Sequence, residues 1–148
     1  MSIPRRWKEM SELFARASLR PGVQGVIYLQ HGGDDSQYLL VLRESVTNAS
    51  GSSGSAHPNL DQLAATLLQR EARRSGCSAP DSHNDGAIAG TPDIWADLNC
   101  EDQSQMERVI VVVRGSYVYQ IRYVADSLSF ASDLSDLNDS LASWRWSR

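Results

Sequence analysis

The chain has little cysteine and little histidine: two Cys and three His in 148 residues. Two cysteines cannot make a disulfide scaffold, so the fold must rest on an apolar core, and an apolar share of 41% is enough to build one. There is no excess of bases. Fourteen Lys and Arg stand against 18 Asp and Glu, a formal charge of −4, which argues against binding nucleic acid or an anionic membrane surface. No apolar run approaches the roughly 18 residues that cross a bilayer as a helix, so no membrane insertion is expected. The opening residues Met1 to Trp7 carry bases with no apolar stretch behind them, unlike an intact signal peptide. As written the chain reads as cytoplasmic. A chain trimmed of an export segment would belong to the cell envelope or outside the cell.

Catalytic signatures are also missing. His31, His57 and His83 all fall in predicted loops. The acidic neighbours Asp34-Asp35 and Asp81 to Asp85 follow neither the i, i+4 spacing of a metal site nor the alternation of a calcium loop, and turn chemistry accounts for them. Serine is plentiful, but no Gly-x-Ser-x-Gly elbow occurs. A Cys77–His83 nucleophile pair has no supporting context, and Gly32-Gly33 is a turn without the helix and Lys of a phosphate loop. No enzyme activity, cofactor or metal is expected. Cys77 and Cys100 are open to two readings: a disulfide in an exporting context, or two small half-buried thiols in the cytosol.

What is present is periodicity. Apolar spacing predicts a helix over Glu9 to Leu19, then strands at Val23 to Gln30 and Tyr38 to Val46, joined as a hairpin by a Gly-rich turn. A Ser/Gly-rich stretch at about 47–58 reads as a flexible surface loop. Asn59 caps a helix that carries Leu60, Leu63, Ala64, Leu67, Leu68 and Ala72 on one face and stops at Gly76. Arg70, Arg73 and Arg74 complement its C-terminal dipole. A polar loop over Ser78 to Gly86 precedes strands at Ala87 to Ala89, Asp93 to Cys100, Met106 to Arg114 and Tyr117 onward. Val109 to Val113 is an unbroken run suited to burial on both faces, and Tyr117, Tyr119, Ile121 and Tyr123 alternate with period two. Phe130, Leu134, Leu137, Leu141 and Trp144 form the stripe of a closing helix capped by Asp126 or Ser127. The order predicts one α+β domain over 1–148, an antiparallel β-sheet flanked by helices.

Pro4 with Trp7, Gly90-Thr91-Pro92, the Arg108 to Ala125 hairpin and the stripe from Phe130 to Ser143 resemble the Mog1/PsbP/DcrB-like family. The resemblance implies an α-β-α sandwich and a non-enzymatic accessory or adaptor domain that binds another protein. A homodimer, a secretion-chaperone-like adaptor and a carrier of a small apolar ligand are the competing expectations. Tyr117, Tyr119, Tyr123, Trp144, Arg145 and Trp146 are the candidate contact residues, because exposed Trp, Tyr and Arg are the types that anchor interfaces. Tyr117, Tyr119 and Tyr123 share one strand face, and Trp144 continues the stripe of the last helix, so a core role competes for most of them.

Overall fold

The computed structural model describes residues 7–9, 20–30, 37–51, 59–78, 81–98, 100 and 104–146. Seven strands form one sheet: β1 (Trp7–Glu9), β2 (Gln24–Gln30), β3 (Tyr38–Ser45), β4 (His83–Ile88), β5 (Thr91–Leu98), β6 (Gln105–Arg114) and β7 (Tyr117–Asp126). Their spatial order is β1-β2-β3-β7-β6-β5-β4, and every neighbouring pair is antiparallel. Three helices accompany them among the described residues: α1 (Val46–Ser50), α2 (Leu60–Ser75) and α3 (Phe130–Ala142). The fold is α+β. After β3 the chain crosses the sheet through α1 and α2 and enters the far edge as β4. It then returns strand by strand until β7 pairs with β3.

The alternation of β6 and β7 explains why helices lie on both sides. Ile110, Val112, Ile121 and Tyr123 point to one face and join Phe130, Leu137 and Trp144 from the α3 side. Val109, Val111 and Val118 point to the other and meet Leu63, Ala64, Leu67, Leu68 and Ala72 of α2. Side chains on a strand change face at every residue, so a strand apolar at consecutive positions needs cover above and below. Ile94, Ala96 and Leu98 of β5 face α2 and Trp95 faces α3.

The helix ends follow local chemistry. The Asn59 side chain accepts the Gln62 N–H at 2.8 Å, and Gly76 closes α2 with φ +67°, where a Cβ would be strained. At α3 the expected Asp126 or Ser127 cap is replaced by Ser129, whose side chain makes no cap bond. Asp126 instead holds the preceding turn by accepting the Leu128 N–H at 2.8 Å. Gln37, just before β3, reaches the start of α3 through Asp133 at 2.8 Å.

Two further expectations are corrected. The Ser/Gly stretch at about 47–58 begins as helix α1, because Ser45 accepts the Asn48 N–H at 3.1 Å and Ala49 is fully buried; residues 52–58 lie outside the described ones. The polar loop over Ser78 to Gly86 is strand from His83 onward. A register shift between His83 and Gly86 absorbs the turn-forming Asn84-Asp85, while His83 stacks on Trp95 at 4.2 Å between ring centres. The β4–β5 hairpin turns at Ala89-Gly90, both at positive φ, the backbone that two-residue turns require. The helix predicted over Glu9 to Leu19 lies outside the described residues except for Glu9, which ends β1.

Cys77 and Cys100 form a disulfide that ties the end of α2 to the β5–β6 connection. Closing a loop with a sequence separation of 23 residues restricts the unfolded chain, and the entropic estimate is about 3 kcal/mol. Reduction, or the paired substitution Cys77→Ser and Cys100→Ser, should therefore lower unfolding stability by about 3 kcal/mol in urea titrations. Leu137→Ala, which empties a fully buried site under α3, should cost about 2–5 kcal/mol in the same assay.

Candidate functional site

Where the sheet extends past the C-terminal end of α3, an open groove of about 860 Å³ lies on its face. Val26 and Tyr28 of β2, Val41 of β3 and Tyr119 of β7 form its floor, and Trp144 and Trp146 form the wall. Alternation places these strand residues together: β2 and β3 pair Val26 with Val41, and β3 and β7 pair Arg43 with Tyr119. The aromatic wall is interlocked. Trp146 lies 4.9 Å from Tyr119 and 5.4 Å from Trp144 between ring centres, and its Nε1–H donates to the Ile88 carbonyl at 3.3 Å.

Three arginines stand around the groove. The Arg43 guanidinium sits 4.7 Å from the Tyr117 ring centre and that of Arg114 lies 5.0 Å from Trp146, both in cation–π range. Arg145 Nη1 donates to the carbonyls of Ala142 and Trp144. None of the three has a carboxylate partner among the described residues, and none of the described residues that line the groove is Asp or Glu. The Trp144 Nε1–H is buried and has no acceptor among the described residues. Leaving such a donor unsatisfied costs about 1–3 kcal/mol.

Five of the six candidate contact residues thus meet in one place: Tyr117, Tyr119, Trp144, Arg145 and Trp146. Tyr123 does not. It is 1% exposed and packs on Phe130 under α3, where burial pushes its hydroxyl well above the ordinary tyrosine range. Its even spacing from Tyr117 and Tyr119 fixes the face of the sheet, but α3 covers only part of that face.

The chain matches no family model, and no curated protein is significantly similar to it.

The opposite face holds a charged cluster that the sequence reading missed. Glu71 of α2, 2% exposed, meets Arg122 of β7 at 2.6 Å and is also paired with Arg74. Glu107 of β6 lies beside them, accepts from Ser75 Oγ at 3.4 Å and faces Arg122 at 3.9 Å. A second cluster surrounds buried Glu44, which takes Arg20 at 2.9 Å, Asn48 at 2.8 Å and Arg70 at 3.7 Å. Arg70 and Arg74 therefore pair with buried acids in addition to sitting near the end of a helix. The signal was present in the pattern: Glu71 lies on the stripe of Leu67 and Leu68, and Glu107 shares the inward parity of Val109 and Val111.

The remaining candidate chemistry is reduced by the fold. Cys77 is bonded to Cys100 and offers no thiol to His83, which is stacked on Trp95. His31 and His57 lie outside the described residues. Among the described residues no three His, Cys, Asp or Glu side chains gather as a metal site would need.

The buried acids set a pH dependence. Burial first, and then the Glu71 charge, push Glu107 up to about 7, while Arg122 and Arg74 oppose the shift. Burial, and then Asp85, push Asp93 up to about 6. Burial works against ionisation of Glu71 too, but its bonds to Arg74 and the Arg122 charge hold it below its ordinary value. A carboxyl raised on folding favours the folded chain while protonated, so stability falls as pH rises from 4.5 to about 7 for Glu107 and from 3.8 to about 6 for Asp93. Glu71 contributes the opposite slope, below its ordinary value of 4.5. The urea midpoint should thus be higher near pH 5 than near pH 8, and Glu107→Gln should remove most of that decline.

Proposed function

We propose that this chain is a non-enzymatic binding module, an accessory or adaptor domain of the Mog1/PsbP-like kind, whose groove beside α3 receives part of another protein. The observation that carries the reading is the groove's make-up. Aromatic rings are held in place by one another, and three arginines line it with no carboxylate partner among the described residues. Tyr, Trp and Arg dominate interface hot spots because they bring large area and multiple donors at modest entropic cost. A groove of about 860 Å³ is also within the size range of sites that enclose a ligand. The layer order supports the family resemblance, since α2 covers one face of the antiparallel sheet and α3 the other. The disulfide favours the exported alternative, in the cell envelope or outside the cell, because such bonds persist in oxidising compartments.

The test is a comparison of the wild-type chain with Arg43→Gln/Arg114→Gln/Arg145→Gln in affinity capture from its native extract. The substituted chain should keep its melting temperature, because none of these residues is buried, yet lose at least about tenfold of the captured partner. Equal capture by both chains, or a wild-type chain that native mass measurement finds only as an unoccupied monomer, would remove the proposal.

A further inference from the structure

We infer that the occupant of the groove is an acidic segment of a partner protein, with its carboxylates on Arg43 and Arg114. This rests on the binding-module reading and adds the chemistry of the partner. The first observation is how the arginines are partitioned. Arg20, Arg70, Arg74, Arg108 and Arg122 all have carboxylate partners within the chain. Arg43, Arg114 and Arg145 have none among the described residues, nor has Arg73 on the exposed side of α2, although the chain as a whole carries more acid than base. In a protein of net charge −4, a groove lined by three arginines and, among the described residues, no carboxylate complements a negative ligand.

The second observation is pre-positioning. Tyr117 and Trp146 hold the Arg43 and Arg114 side chains over their rings, so less side-chain freedom is lost when the ligand arrives. Nucleic acid fits less well, because tight phosphate binding recruits roughly 6–10 basic contacts. A membrane surface fits less well too, since lipid-binding patches gather roughly 4–8 bases. An acidic peptide with apolar or aromatic side chains between its carboxylates matches both the rim and the floor.

The experiment pans a random dodecapeptide display library against the immobilised full chain and, in parallel, against Arg43→Gln/Arg114→Gln. Wild type should enrich peptides rich in Asp and Glu, and the substituted chain should not. The best peptide, made synthetically and followed by tryptophan fluorescence, should bind at least about tenfold more weakly to Arg43→Gln/Arg114→Gln than to wild type. The melting temperature of that variant checks that the fold survives. Enrichment of neutral or basic peptides would overturn the acidic assignment while leaving the binding module standing. No enrichment at all, together with equal capture by the triple variant above, would overturn both. Binding of phosphatidylserine vesicles or single-stranded DNA in preference to the acidic peptide would overturn it. So would a concentration-dependent dimer abolished by Arg43→Gln/Arg114→Gln, which would make a second copy the occupant.

Discussion

The β6–β7 hairpin imposes the constraint on which the rest depends. Its two strands are apolar at successive positions, so neither face can be left to water. One helix cannot satisfy both faces, and the chain therefore places α2 and α3 on opposite sides. The connection through α1 and α2 follows from this, because a helix laid across the far face leads the chain to the sheet's other edge. The groove follows as well. A closing helix of 13 residues cannot cover one face of a seven-stranded sheet, and what lies beyond its end is the floor on which the aromatic wall stands.

Arginine is used in two distinct ways. The chain has a single lysine, Lys8, and every other base is arginine. On the α2 face the guanidinium groups fasten helix to sheet through buried Glu44 and Glu71, where planar, many-donor geometry suits a carboxylate better than an ammonium would. Such pairs are poor sources of net stability, because desolvation offsets much of their attraction. They do fix the rotation of α2, since a slip of one residue would bury an unpaired charge. On the α3 face Arg43 and Arg114 lie on aromatic rings with no acid partner among the described residues, whereas Arg108 lies on Trp95 and also pairs with Asp97.

The central hairpin and the closing helix were legible because their periods run long enough to be unambiguous: Val109 to Val113 is apolar throughout, and Phe130 to Trp144 steps by four and three. Cap residues with one dominant conformation, Asn59 and Gly76, were legible for the same reason. The strand over His83 to Gly86 was not, because its residues favour turns. Pairing with β5 and the ring of Trp95 make it extended, and both come from outside the segment. Ser45 to Ala49 failed similarly: a small-residue stretch looked solvated, yet Ala49 is sealed under α2. The candidate aromatics were visible one at a time. Their assembly was not, because Trp146 reaches Tyr119 only when the segment after α3 lies back on the sheet, and the groove floor depends on β3 pairing with β7, a partnership of residues distant in sequence. The buried acids could have been found by asking which charged residues stand at inward positions.

That same partnership, Tyr38 with Val124 through Ser45 with Tyr117, has a consequence for biosynthesis. The β2–β3 hairpin leaves the ribosome before β7, the strand that completes it, has been made. Until then one border of β3 offers unsatisfied amide and carbonyl groups to any extended chain nearby, which is a template for misassembly. Loop-closure entropy must be overcome before this pairing can form, and such topologies mature slowly. The hazard of wrong pairing lasts until that seam closes.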